Sequence, residues 1–511
     1  PVTTWLTCTG LEFFMLPEQQ KNMLLAITVS LVIVVGFNIV FPPPPPEEMG
    51  QDQKELGQKT PVENREKKAS SDVQGKVKDQ TVTADAGPQL GADTKDMIRQ
   101  PPPKSLKPIF KDRASVLQDG GNRVNIASTR LTGSIALTGA RIDDLVLKGY
   151  RSSLDPNSEE IILLQPQGSE QPYYAEFGWL GNAVEVPNAK TVWKSDRSVL
   201  SPGKPVTLSW DNGKGLLFER VISLDNSYMF QITQRVKNTT TQAISLAPYG
   251  LVSRTGTPEV LGFYILHEGM IGVLKGVLQE VDYDEFDDGR PKRFESKGGW
   301  LGITDKYWLA ALIPNQQQTM NTSFVSHKRG SQHAYQADYL SPSMSVNPGE
   351  TIEAKSNFFA GAKEKKLLNS YMADLKVDKF DLAIDFGWFW FFTKPFFSAL
   401  SYFNEMFGNY GVAILILTVI IKIIFFPLAN KSYRAMSKMK ALQPKMEELK
   451  ERFGEDRQRM NTELMNLYKT EKVNPAAGCF PILIQIPVFF ALYKVLFVSI
   501  EMRQAPFFGW I

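Results

Sequence analysis

The residue that most needs a chemical reason is Lys422. It stands in ILILTVIIKIIFFPL, an apolar run where a charge costs at least about 2.5 kcal/mol on insertion scales. Thr418 lies one helical turn earlier on the same face, and Gln485 lies inside the next apolar run. Two arrangements fit these residues. Pro427 is five positions on, about 8 Å along a helix, so the lysine stem can snorkel to a nearby surface. Alternatively, the three polar groups line a wet cavity between helices. The residues alone leave both open. Lys494, in ALYKVLF, is a second charge in apolar surroundings, and snorkelling is the favoured reading there. His267, Glu268 and Asp305 are the side chains a sugar site would use. Scattered groups of this kind, without a tight motif, are ordinarily structural. Three histidines and two cysteines, Cys8 and Cys479, show no metal-ligand spacing and no disulfide framework. No catalytic residue, metal or cofactor is expected.

The elements that would hold Lys422 are two apolar segments around a charged one. Residues 408–428 and 478–500 are each about long enough to cross ~30 Å of hydrocarbon as a helix. Between them, 429–475 carries Lys431, Arg434, Lys438, Lys440 and Lys445, an excess of basic residues that places this segment on the cytoplasmic side. Met436, Met439, Met446, Leu449 and Phe453 form one helical face up to Gly454. Met460, Leu464, Leu467 and Tyr468 form another, so a hairpin of two short antiparallel helices is predicted. Residues 386–407 precede the first span. Their aromatics and the stripe Leu400, Phe403, Phe407 predict an amphipathic interfacial helix.

Upstream, 23–41 is an uncharged run of span length that leads into FPPPPPEE with no cleavage-site pattern, so an uncleaved signal anchor is predicted. Residues 1–22 are then a cytoplasmic segment, of which 1–14 has no evident role; Met15 or Met23 is a candidate start. Residues 42–107 contain no aromatic residue and are rich in Pro, Lys, Gln and acids, which predicts a disordered tether. From 108 to 375 the pattern changes to short alternating stretches such as LLFERVISLD, with turn signals such as DNGKG and DDGRP between them. A large antiparallel β-sandwich is predicted, on the far side of the anchor and so periplasmic. The net charge of +3 gives no ground for a nucleic-acid partner, and no DNA binding is expected.

The segment from KMKALQPKMEELKERFGEDRQRMN to NPAAGCFPILIQIP and on to RQAPFFGWI resembles the core of the YidC/Oxa-type membrane protein insertases, and the whole plan resembles the Gram-negative YidC branch. The resemblance implies a multi-domain membrane protein with an α-helical transmembrane core, a cytoplasmic helical hairpin and a large periplasmic antiparallel β-supersandwich similar to galactose mutarotases. It implies a bacterial inner-membrane insertase and chaperone acting through a positively charged hydrophilic groove, alone or with the Sec translocon. Lys422 falls where such insertases place their groove cation, with Thr418 and Gln485 as neighbours. Most members have arginine there, and lysine keeps the charge but loses the guanidinium fork. Nascent membrane proteins, membrane lipid, the Sec translocon, ribosomes and targeting factors are the implied partners. Residues 501–511 would be a periplasmic segment before further membrane helices, since a lone pair of spans cannot bury both apolar faces. The alternatives are a membrane-anchored periplasmic carbohydrate-binding or mutarotase-like protein, which leaves Lys422 and the hairpin unexplained, and a channel or transporter, which predicts more intramembrane charges and spans repeated in mirrored halves, neither visible in this sequence.

Overall fold

The computed structural model describes residues 82–83, 87–88 and 111–507, except 182–183, 261–265, 287–289, 330–331, 454–455 and 474–479. The signal anchor, the N-terminal segment, Cys8, Cys479 and the NPAAGC stretch lie outside the described residues. So does nearly all of the tether, apart from two-residue strands, Val82–Thr83 and Gly87–Pro88, that pair antiparallel. The described residues belong to one compact unit, Val77–Ile511.

Two sheets, of nine and eleven strands, form the body of this unit. Alternation decides which way their residues face. In Leu216–Leu224 the odd-and-even pattern buries Leu216, Phe218, Ile222 and Leu224 and leaves the residues between them half-buried. The same period turns Arg220 inward. Its guanidinium lies over the Trp193 ring and donates to the carbonyl of Ala140 at 2.7 Å and to that of Phe177, so it links the two sheets through the core. Phe177 and Phe358 meet edge to face across the same gap, with centroids 6.2 Å apart. The DNGKG stretch makes the expected hairpin turn: Asn212 Oδ1 accepts from the amides of Lys214 and Leu216, and Gly213 takes the left-handed φ of 67°. Among the described strands, pairing is antiparallel except for one parallel register, Arg123–Ala127 against Val199–Leu200. That pair joins segments far apart in sequence, which alternation does not disclose.

The central strand Thr351–Ala362 delivers the chain from the sandwich to its helices. Helix α1 (Arg113–Asp119) lies earlier, and α2 (Lys365–Asp374) follows the strand after two residues. Tyr371 of α2 packs edge to face on Phe359. After a 3-10 turn at Phe380–Ala383 come α3 (Trp390–Phe407), α4 (Tyr410–Ala441), α5 (Gln443–Phe453), α6 (Arg457–Thr470) and α7 (Phe480–Val498). Two residues separate α3 from α4. Gly408 ends α3 in the left-handed conformation with its amide on Asn404 O, and Asn409 caps α4 by accepting from Val412 N at 3.0 Å.

Helix α4 is 32 residues long, and by length and composition it is the one described helix that qualifies as a membrane span. It does not stop where the apolar run does. It continues through Pro427 and residue 428 to Ala441, so Met436 and Met439 belong to this helix and not to a separate hairpin arm. The break comes at Leu442, where Pro444 two residues on has no N–H to continue the ladder to Lys440 but fits the first turn of a new helix. The antiparallel pair is α5 and α6: Lys445 and Glu471 are bridged at 2.6 Å, and the Tyr468 hydroxyl reaches Met446 Sδ at 3.6 Å.

Candidate functional site

The small set of buried positions on α4 shows how it is seated. Ala413, Leu417 and Ile421, four residues apart, form one seam, while Leu415, Val419, Ile423, Ile424 and Phe426 stay exposed. Helix α7 likewise exposes Leu483, Ile486, Phe489 and Phe490. These broad apolar faces suit lipid or further membrane helices.

Lys422 projects from α4 beside its seam. Its Nζ lies 5.6 Å from the centroid of Phe489 on α7, a cation–π contact, and no carboxylate pairs with it among the described residues. Thr418, one turn away on α4, spends its hydroxyl on its own helix, donating to Ile414 O at 2.7 Å. Gln485 is half-buried on α7, one turn before Phe489.

Lys494 differs from the expectation. It does not snorkel. Only 7% exposed, it donates to Asp385 Oδ2 at 2.7 Å, in the linker before α3. A lysine reaches solvent only when nothing nearer offers an anion, and here the fold supplies one 109 residues away in sequence. Nothing in the local sequence marks Asp385 as that partner.

The possible sugar-site side chains are all engaged. His267 uses both ring nitrogens, on Asp282 Oδ1 and Met270 O, each at 2.9 Å. Glu268 accepts from Lys306 N at 2.9 Å, and Asp305 from Arg254 at 2.6 Å. His267 and Glu268 line an open cavity of about 1580 Å³ between the sandwich, the linker and α7, with Asp385, Trp388, Tyr493 and Lys494. Asp305 does not line it, so the three candidates do not share one cavity. At the junction, burial pushes Lys363 down to about 8 despite the nearby Asp305, Asp385 and Glu268, and its Nζ donates to Thr304 Oγ1 at 3.0 Å. Burial also raises Glu501 above the ordinary carboxylate range, against the bonds it accepts from Lys365 N and Ser499.

Residues 123–399 match the family model described as the YidC periplasmic domain, and residues 402–511 match the 60Kd inner membrane protein. The membrane protein insertase YidC of Methylobacterium sp. (strain 4-46) is 46% identical over 512 residues, which cover 97% of this chain and 80% of that one. That of Methylobacterium nodulans is 51% identical over 401 residues, 76% of this chain and 66% of its own, and that of Bradyrhizobium diazoefficiens is 42% identical over 508 residues, 96% and 79%. Among solved structures, a galactose mutarotase related enzyme from Lactobacillus acidophilus is similar over 47% of this chain and 97% of its own, at 11% identity and a TM-score of 0.33, too low to carry an argument. The sandwich is thus the periplasmic domain of an inner-membrane protein, and α4 to α7 fall in the stretch that matches the 60Kd inner membrane protein. The chain belongs to the YidC family of membrane protein insertases.

Proposed function

We propose that α4 and α7 are two walls of a polar groove whose cation is Lys422, with Thr418 and Gln485 as its polar neighbours. The observation that carries this reading is a lysine kept in an apolar helix with no anionic partner among the described residues, facing the second helix at Phe489. Lys422 is exposed between the described helices, whereas Lys494 is buried and paired. An unpaired cation attracts a passing carboxylate by about 1 kcal/mol at 4 Å in water and about 4 kcal/mol at an effective dielectric near 20. An acidic tail near the N-terminus of a nascent membrane protein is therefore drawn into the groove. Its apolar helix then leaves sideways into lipid, driven by burial of its surface away from water. No covalent step and no cofactor is involved. In this reading the α5–α6 hairpin faces the cytoplasm, and its exposed Met465 and basic residues meet ribosomes or targeting factors. The Sec translocon is a partner for some clients.

The test is complementation by the full-length chain in cells depleted of their own insertase, reading insertion of a small client with an acidic N-terminal tail. Lys422→Arg is expected to work, while Lys422→Ala and Lys422→Glu are expected to fail, Glu more severely. Full insertion by both Ala and Glu variants would remove Lys422 from the mechanism.

A further inference from the structure

Asp385 sits where three parts of the molecule meet. Its Oδ2 accepts from Lys494 Nζ of α7 at 2.7 Å and from His267 N of the sandwich at 3.3 Å. Its Oδ1 accepts from Gly387 N at 2.9 Å, which closes the turn of the linker. Gly387 holds a φ of 68°, and a Cβ there would stand 3.4 Å from Lys494 Cε, so the turn is shaped closely around the lysine stem. Lys494 is the single charge in α7.

Val488, Ala491 and Val495 bury an apolar seam of the helix, and further polar contacts lie beyond Lys494, at its end. Lys306 Nζ sits 3.5 Å from the Phe497 ring centroid, Glu501 accepts from Lys365 N at 2.9 Å, and Arg503 donates to Arg151 O at 2.6 Å. These later contacts hold the helix by its tail. The Asp385–Lys494 pair holds it within the helix itself, where its rotation can be set. Phe489 precedes Lys494 by five residues, roughly 7 Å along the helix and about 140° around it. A lysine fixed toward the linker therefore turns Phe489, and Gln485 one turn further on, toward α4.

We propose that Asp385 and Lys494 are positioning residues of the insertase: their buried ion pair sets the height and rotation of α7, and so the face that the helix presents to Lys422. The functional half of this statement rests on the groove reading above; the geometric half does not. The pair ties the periplasmic domain to the groove wall through one side chain on each. Removing either partner leaves the other charge buried without its nearest counter-charge.

The experiment separates the two halves. The full-length chain is used in membranes, with Cys8→Ser and Cys479→Ser and a reporter pair Lys422→Cys and Phe489→Cys, joined by a short bismaleimide. Lys494→Met and Asp385→Asn are expected to lower the cross-link yield roughly five-fold or more, as loss of a buried partner should. The exchanged pair, Asp385→Lys with Lys494→Asp, is expected to restore it. In a second chain with native Lys422 and Phe489, insertion of the acidic-tailed client should fall and recover in step. Unchanged yields in the single variants overturn the proposal, as does an exchanged pair that fails to restore them, since the loss then belongs to packing. Insertion lost at unchanged yield also overturns it. A yield that falls while insertion holds leaves the clamp standing and overturns the groove reading.

Discussion

Lys363 should make the stability of the periplasmic domain rise with pH in a range where most proteins lose it. It follows the central strand Thr351–Ala362, is 4% exposed, and is held down to about 8 by burial, against an ordinary value of 10.5. The unfolded chain keeps this proton up to about 10.5 while the folded chain gives it up near 8. Stability therefore climbs between those values, and below 8 the cost of the buried charge is present in full. The gap corresponds to about 3 kcal/mol. Lys363→Met should lift that cost at pH 7. The neighbours left behind keep their partners: Asp305 holds Arg254 at 2.6 Å, Asp385 holds Lys494, and the Thr304 hydroxyl still has Asp305 O at 3.2 Å. Subtracting about 1 kcal/mol for the lost bond to Thr304 leaves a net gain of about 2 kcal/mol. Urea unfolding of the detergent-solubilised chain, followed by tryptophan fluorescence from pH 7 to 10.5, gives the difference between wild type and variant. That difference should shrink toward zero, and then reverse by about the lost hydrogen bond, as the pH nears 10.5. A variant less stable than wild type at pH 7, or a difference that does not change with pH, would refute the reasoning.

Two further outcomes follow from the sandwich core. Asp338, fully buried on bonds from Ser323 and Gln336 at 2.7 Å each, is pushed up to about 7 by burial, so its penalty is present above pH 7 and disappears as the pH falls toward 4. Asp338→Asn should therefore stabilise the domain at pH 8 by up to about 4 kcal/mol relative to its effect at pH 4, as read from paired urea titrations. Phe359 is inaccessible to solvent and meets the rings of Tyr228, Tyr371 and Phe380. Phe359→Ala should cost about 3–5 kcal/mol in the same assay. It should also loosen α2, visible as faster amide exchange in Lys365–Asp374.

Much of the architecture is written in local patterns. A period of two over Leu216–Leu224 specifies a strand with one buried face, and an apolar run of span length specifies the long helix Tyr410–Ala441, because each depends only on near neighbours and on transfer cost. Lys422 stands out for the same reason: the price of a charge in an apolar run can be read without knowing the fold. What faces that charge cannot. The approach of Phe489 to Lys422, the bonds of Arg220 to the carbonyls of Ala140 and Phe177, and the parallel pairing of Arg123–Ala127 with Val199–Leu200 all join distant parts of the chain. Pro427 shows the converse limit. Its type suggests a helix boundary, yet α4 passes through it and stops at Leu442, ahead of Pro444, instead. Lys494 shows the division most plainly. The sequence determined that a costly cation sits in α7, and the tertiary structure decided that Asp385 neutralises it, because the fate of a buried charge depends on the nearest anion in space.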